Sequence, residues 1–278
     1  MKSLFDHVSS MTCKLTTETY STSFSLGIYF LDNRLHKHIH AIYGFVRLAD
    51  EIVDSFHGFD KKRLLAKLKQ DTYDAIDDKI SCNPILNAFQ QTVHKYEVNV
   101  ELIECFLQSM EMDLEPVDYD PEKYEQYILG SAEVVGLMCL HVFVEGDKKM
   151  FDHLKPYAMK LGAAFQKVNF LRDMQHDHNI LGRIYFPGVQ WESFCSNTKK
   201  QIELEIKNDF DVALQGIKQL PSSSKAGVYL AYVYYKSLFN KIRKLESREV
   251  MKKRIRISNR KKIGLMVNSL IQYKMNLV

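Results

Sequence analysis

The chain has 278 residues, a net charge of +4, and hydrophobic and charged contents of 46% and 26%, the balance of a globular protein with a sizeable core. Only 6 Pro and 12 Gly, with no Ser/Gly-rich or Pro-rich tract and no internal repeat, leave no linker, so residues 1–278 are expected to form one domain. Five cysteines, never spaced as CxxC and with no signal peptide ahead of them, read as reduced thiols of a cytoplasmic protein.

In chain order, helical periodicity predicts segments near 19–30, 35–56, 60–79, 84–95, 99–112, 121–145, 150–178, 198–217, 223–245 and 259–275. Asn83-Pro84 and Asp120-Pro121 have the form of helix starts, a capping residue followed by Pro at the first helical position. No period-two alternation lies beside hairpin turn chemistry, so no sheet is expected. The prediction is an all-α domain of roughly ten helices, with Gly130, Ala132, Gly136 and Gly162 allowing close helix approach. The most apolar run, Val134 to Val144, contains His141 and is too short to cross a bilayer. Residues 241–262 hold 11 Lys or Arg against Glu246 and Glu249. This tract reads either as a solvated basic tail or as a surface for polyanions or anionic lipid. It has few aromatics and no nucleic-acid-binding motif, so no nucleic-acid partner is expected.

Two acidic motifs carry the most chemical information: Asp50-Glu51-Ile52-Val53-Asp54 and Asp173-Met174-Gln175-His176-Asp177. Each puts two aspartates one helical turn apart on one face, about 6 Å along the axis, where they repel. Repetition on two helices points to a cation between them, and hard oxygen ligands point to Mg²⁺. On the first helix Ile42, Val46, Ala49 and Val53 form a core stripe, and Tyr43, Arg47, Asp50 and Asp54 form a second stripe beside it. Carboxylates that hold a metal and a guanidinium one turn earlier that takes phosphate oxygens would suit one shared site. On the second helix Gln166, Asn169, Asp173 and Asp177 share a stripe, with Leu161, Ala164, Phe165, Val168 and Leu171 opposite. The bland alternative is a pair of wet surface helices, the reading given to Asp74 with Asp78.

Other constellations are weaker. His36, His38 and His40 alternate within a helical segment and so point to different faces, which disfavours a metal site. There is no GxGxxG, no GxxxxGK[ST] and no G-x-S-x-G, so no dinucleotide site, P-loop or nucleophile elbow is expected.

Taken together, the residues resemble the squalene/phytoene synthase family of head-to-head prenyltransferases. The likeness starts at Ser21-Thr22-Ser23-Phe24 and runs through Ala41-Ile42-Tyr43-Gly44-Phe45-Val46-Arg47-Leu48-Ala49 into the first acidic motif. It includes the small-residue stretch Gly130 to Met138 and is strongest at Asn169-Phe170-Leu171-Arg172 with the second acidic motif and Gly182-Arg183-Ile184-Tyr185-Phe186-Pro187. Arg254-Ile255-Arg256-Ile257-Ser258 is similar to the family's basic C-terminal signature.

The resemblance implies a single isoprenoid synthase-like helical bundle around a central apolar cavity, with the acidic motifs facing each other across its mouth. It implies Mg²⁺, or Mn²⁺, held by Asp50, Glu51, Asp54, Asn169, Asp173 and Asp177 and bridging to a prenyl diphosphate, whose departure is thereby assisted. Arg47, Arg172 and Arg183 are candidates for the remaining phosphate oxygens, and Ser21, Gln166, Asn169 and Tyr185 fall at family active-site positions. Carbocations need an apolar, aromatic wall, for which Phe24, Tyr43, Phe45, Leu137 and Phe165 are candidates, with Tyr235 as a late aromatic of the cavity.

Two departures stand out. Many relatives read Tyr-x-Tyr where this chain has Tyr127-Ile128-Leu129, so the second hydroxyl is absent at 129: either Tyr127 or Tyr185 substitutes, or the hydroxyl's role is less strict. Glu51 replaces a frequent Asp, which keeps the charge. Residues Gly182 to Pro187 are most similar to the bacterial phytoene type, which implies two geranylgeranyl diphosphates as substrates. Squalene or dehydrosqualene formation from farnesyl diphosphate is the alternative. No nucleotide fingerprint accompanies the motifs, so NADPH is not expected. Weak peripheral contact with the anionic inner face of a membrane, where greasy substrates reside, is a further expectation.

Overall fold

A computed structural model describes residues 1–115 and 119–274. The helices are α1 (Lys2–Tyr20), α2 (Thr22–Tyr29), α3 (Asn33–Asp54), α4 (Lys61–Asp78), α5 (Pro84–Tyr96), α6 (Val100–Met112), α7 (Pro121–Ile128), α8 (Val134–Phe143), α9 (Lys148–His176), α10 (Ser196–Ile217), α11 (Ser222–Arg243), the short α12 (Ser247–Val250) and α13 (Asn259–Lys274). No strand occurs among the described residues. Asn83 accepts a hydrogen bond from the backbone N–H of Ile85 and Asp120 from that of Lys123, so both expected Pro-led helix starts are capped as their sequences indicate.

The 29-residue α9 is the spine. It packs against α8, α10 and α11, while α3 packs against α1, α5 and α8, and α11 lies along α2 and α13. Six helices, α2, α3, α8, α9, α10 and α11, thereby enclose one elongated interior space. Its walls approach closely because they are lined with glycine. A Cβ on Gly162 of α9 would lie 2.5 Å from the carbonyl oxygen of Ala132, and one on Gly227 of α11 would lie 2.5 Å from that of Gly27 in α2.

Three elements differ from the sequence expectation. The chain begins with α1, outside the expected segments although Leu4, Val8, Met11 and Leu15 recur at helical spacing. Its fully buried positions are Ser9, Cys13 and Thr17, small residues that seat the helix against α3 and α5, whereas Leu4, Val8, Met11 and Leu15 face outward. Ser21, in extended conformation, ends α1 and caps α2 through the N–H of Phe24, splitting the segment expected at 19–30. The segment expected at 121–145 holds α7 and α8 joined by a widened π-type turn at Leu129–Glu133. The turn passes close to α6: a Cβ on Gly130 would lie 2.6 Å from the Cβ of Ser109. As one rod, Pro121–Phe143 has the length and apolar composition to cross a membrane, more than the run Val134 to Val144 alone. Half of its most apolar window is buried inside the protein, as expected for a core helix.

Candidate active site at the mouth of an apolar cavity

The cavity has a volume of about 290 Å³ and is apolar except near one end. On α9 its wall climbs from Leu154 through Tyr157, Leu161 and Phe165 to Gln166 and Asn169, and on α3 from Ile39 to Tyr43 and Val46. The α9 row continues over the next two turns into Asp173 and, just past the helix end, Asp177, and the α3 row into Asp50 and Asp54. The acidic stripes are therefore the upper ends of the two apolar stripes that line the cavity. This revises the expected face of α9, because Leu161 and Phe165 share the cavity side with Gln166 and Asn169. Only Ala164, Val168 and Leu171 form the opposite, fully buried face.

Below the acids lies an aromatic collar. Phe24 has its ring centroid 5.9 Å from Tyr43, 5.9 Å from Tyr235 and 6.4 Å from Phe165, and Phe165 stacks on Tyr235 at 3.9 Å. All four line the cavity. The other expected wall residues do not: Phe45 stacks on Phe89 at 4.1 Å in the core, and Leu137 is buried there too. Ser21 sits beside the Tyr43 hydroxyl, whose pKa burial pushes up to about 12. Asn169 and Arg172 flank the Tyr235 hydroxyl, and burial raises its pKa as well.

At the mouth, carboxylates and guanidiniums alternate. Arg47 pairs with both Asp50 and Glu51, and its guanidinium lies 4.2 Å from the Tyr20 ring centroid. Arg172 pairs with its neighbour Asp173, which Arg254 from the C-terminal segment also holds at 2.7 Å. Arg183, itself buried, bridges Asp54 at 3.1 Å and Asp113 at 3.0 Å, and donates to the Tyr185 hydroxyl at 3.2 Å. Tyr127 donates to the other Asp113 oxygen at 2.7 Å. Asp177 forms no ion pair among the described residues.

This imbalance shows in the titration of the acids. Burial, with Asp173 and Asp54 close by, pushes the Asp177 carboxyl up to about 8. Burial and Asp54 push Asp50 up to about 6, against the pull of Arg47. Burial also lifts Asp113 to about 7, although Arg183 and Tyr127 favour its anion. Asp54 raises both Asp50 and Asp177, and Arg183, six residues past Asp177, reaches Asp54 at 3.1 Å, so the ends of the two acidic helices lie together at the mouth.

The donor set suits a hard divalent cation. It has carboxylates whose negative form is disfavoured until positive charge arrives, and a buried Asn169 Oδ1 with no hydrogen-bond partner. Among the described residues no three acids, imidazoles or thiols converge on one point, because arginines draw the carboxylates apart. His36 and His38 serve other contacts, and His40 is buried with no hydrogen-bond partner for its Nδ1 among the described residues. His36 meets the Leu31 carbonyl at 2.9 Å, His38 meets Thr92 at 3.0 Å, and burial lowers His38 to about 3 and His40 to about 4.

The expected site residues thus fall into two groups. Phe24, Tyr43, Gln166, Asn169 and Tyr235 line the cavity, with Ser21, Arg47, Asp50, Glu51, Asp54, Arg172, Asp173 and Asp177 at its rim. Arg183 and Tyr185 stand behind the rim, where Tyr185 stacks on Phe170 at 4.1 Å, off the cavity wall. With Leu129 carrying no hydroxyl, Tyr127 and Tyr185 are both committed to the Asp113–Arg183 network. Ser131 is the hydroxyl that reaches the cavity at this level, where it accepts a hydrogen bond from Gln166 at 3.4 Å. Sequence reading missed Asp113, Ser131 and Arg254. Asp113 lies at the end of α6 outside any acidic pair, and Arg254 meets Asp173 only through the fold.

The squalene/phytoene synthase profile matches residues 17–261. The chain is 24% identical to 4,4'-diapophytoene synthase of Staphylococcus haemolyticus over 94% of its own length and 96% of that protein. It is 26% identical to chloroplastic phytoene synthase of Daucus carota over 83% of its own length, spanning 62% of the carrot protein. Among solved structures it superposes on a dehydrosqualene synthase with TM-score 0.82 at 19% identity, covering 97% of this chain and 98% of the other. It also superposes on a squalene synthase of Alicyclobacillus acidocaldarius with TM-score 0.76 at 20% identity, over 89% and 96%. The family match thus spans both acidic helices and the cavity between them, and the chain belongs to the squalene/phytoene synthase family of prenyltransferases.

Proposed function

We propose that this protein is a phytoene synthase, joining two geranylgeranyl diphosphates head to head through a cyclopropylcarbinyl diphosphate. The observation that carries the C20 choice is the depth of the apolar wall. The lining residues on α9 run from Leu154 to Asn169, a helix rise of about 22 Å at 1.5 Å per residue. A C20 prenyl chain, at about 5 Å per isoprene unit from ~1.5 Å carbon–carbon bonds, spans about 20 Å and fills that depth. A C15 chain, at about 15 Å by the same measure, would stop short of Leu154 at the far end of that row.

Mg²⁺ or Mn²⁺ would be held by Asp50, Asp54, Asp173 and Asp177, with Asn169 and Glu51 adjoining, and would neutralise charge on the departing diphosphate. The chain's own residues supply the rest. Arg47 and Arg172, now paired with those same carboxylates, turn their free N–H groups to phosphate oxygens, while Arg183 behind the rim positions Asp54. The collar of Phe24, Tyr43, Phe165 and Tyr235 offers ring faces to the allylic cation and keeps water from it. Ser131, Gln166 and Asn169 are the polar side chains at that level and orient the reacting ends.

One observation favours a second reading: the match to the staphylococcal 4,4'-diapophytoene synthase spans nearly both chains. On that reading two C15 diphosphates would give a C30 hydrocarbon. Purified protein with Mg²⁺ and each labelled diphosphate, followed by hydrocarbon analysis, separates them. A C40 product from the C20 substrate with little C30 product is expected. Dominant C30 formation would overturn the C20 choice, and no hydrocarbon from either would overturn the reaction.

A further inference from the structure

The basic C-terminal segment is not loose. The Ile255 N–H donates to the Arg172 carbonyl at 3.3 Å, Ile255 is buried, and Lys241 donates to the Arg256 carbonyl at 2.6 Å. α13 then starts beside the mouth, where Lys262 donates to Thr22 at 2.7 Å, and runs back along α11 to where Tyr229 donates to Gln272 at 2.7 Å. Its inner side packs there. Its outer side carries Ile263, Val267 and Ile271, four residues apart, at 57%, 47% and 50% exposure. Gly264 beside them has open space around it. Lys252, Lys253, Arg256, Arg260 and Lys261, immediately before this stripe, are all exposed, and none has an acidic partner among the described residues.

A second exposed apolar row, Leu4, Val8, Met11 and Leu15 on α1, differs in charge. Its flanking lysines are matched by acids one turn on, Lys2 with Asp6 at 3.0 Å and Lys14 with Glu18 at 3.7 Å. Apolar exposure alone therefore does not single out α13. An apolar stripe continuous with unneutralised cations does, because that pairing complements anionic headgroups over an acyl layer.

We infer that the outer face of α13, with the cations of residues 252–261, docks the protein on an anionic lipid bilayer with the cavity mouth close to the membrane surface. Ile263, Val267 and Ile271 enter the headgroup–acyl boundary, and the lysines and arginines stay at headgroup level. The purpose of the contact, passing prenyl substrates and hydrocarbon product between cavity and lipid, rests on the proposed function. The contact itself rests only on the surface.

The test is flotation of the full chain with vesicles of phosphatidylcholine alone and of phosphatidylcholine with phosphatidylglycerol. Binding to the mixed vesicles only is expected, with loss at high salt as the Debye length shrinks to about 3 Å near 1 M. Lys252→Gln/Lys253→Gln/Lys261→Gln should lower partitioning at least about ten-fold, given about five-fold per surface lysine. Ile263→Gln/Val267→Gln should lower it comparably and leave activity in detergent unchanged, whereas Leu4→Gln/Leu15→Gln should leave binding intact. Equal binding to neutral vesicles, or loss only in the α1 variant, would overturn the inference. So would an α13 variant that shifts the oligomeric state in gel filtration without touching vesicle binding. Activity in detergent tests the proposed reaction separately, so the two readings fail independently.

Discussion

Asp177 is the mouth acid whose titration is displaced furthest, up to about 8 by burial and by Asp173 and Asp54. An unfolded aspartate titrates near 3.9, so between about pH 4 and 8 the metal-free native state holds a proton that the unfolded chain has released. Stability from this group is therefore present at low pH and falls as pH rises through the folded pKa. Asp50, up to about 6, adds the same sign over a shorter window. The expected outcome is that Asp177→Asn, melted in EDTA, gains steadily on the parent in Tm as pH rises from 5 to 8.5. Its turnover with Mg²⁺ should fall by orders of magnitude. Parallel pH slopes for parent and variant would mean that the carboxyl is not destabilised by its neighbours. The acidic pairs were legible in sequence because i and i+4 spacing makes two like charges neighbours whatever the fold. Asp113 was not, because its meaning comes from Arg183, 70 residues away.

Among the elements, α3 and α9 were readable because each buries a broad apolar face, and the helices around them follow the same period. α1 was not expected: Leu4, Val8, Met11 and Leu15 do recur at helical spacing, but that stripe faces outward and the residues α1 buries, Ser9, Cys13 and Thr17, are small. The π-type turn at Leu129–Glu133 escaped for a related reason: one extra residue in a helical run leaves no local composition signal, only the close pass of Gly130 against α6. The cavity wall depends on such contacts. On Gly227 of α11 a Cβ would meet Leu31 Cδ2 at 2.4 Å and the Gly27 carbonyl oxygen at 2.5 Å, and the second of these is backbone that cannot swing aside. Gly227→Ala should therefore push α2 from α11 and cost about 1–3 kcal/mol. For a chain of this size that lowers Tm by roughly 3–10 °C. Gly264→Ala on the open face of α13 should leave Tm unchanged or slightly higher, because helix propensity improves and nothing is crowded. Equal Tm values for both variants and the parent would show that the α2–α11 seam tolerates a methyl group and does not fix the cavity width.

For the whole molecule, the mouth is the place where acids from the first and second halves of the chain meet, with Arg183 of the second half bridging to Asp54 of the first at 3.1 Å. Asp50 and Asp54 come from α3, Asp173 and Asp177 from α9, and the arginines that partly compensate them are drawn from α3, α9, the loop after it and the C-terminal segment. A cation alone would remove repulsion among the acids but would compete for Asp50, Asp173 and Asp54, the present partners of Arg47, Arg172 and Arg183, leaving Arg183 with Asp113. A diphosphate alone would satisfy the arginines and add anions to an acidic rim. Each therefore prepares the site for the other, and together they tie α3 to α9. Inorganic diphosphate with Mg²⁺ should raise Tm by more than the sum of the two separate shifts. Saturation at about a hundred times Kd is worth about 2.7 kcal/mol, or roughly 5–10 °C at this chain length. Asp50→Asn and Asp173→Asn should each abolish the excess while leaving the ligand-free fold intact, since each removes one of the opposed charges. A strictly additive response, or an unaltered excess in both variants, would mean that metal and diphosphate do not share this mouth.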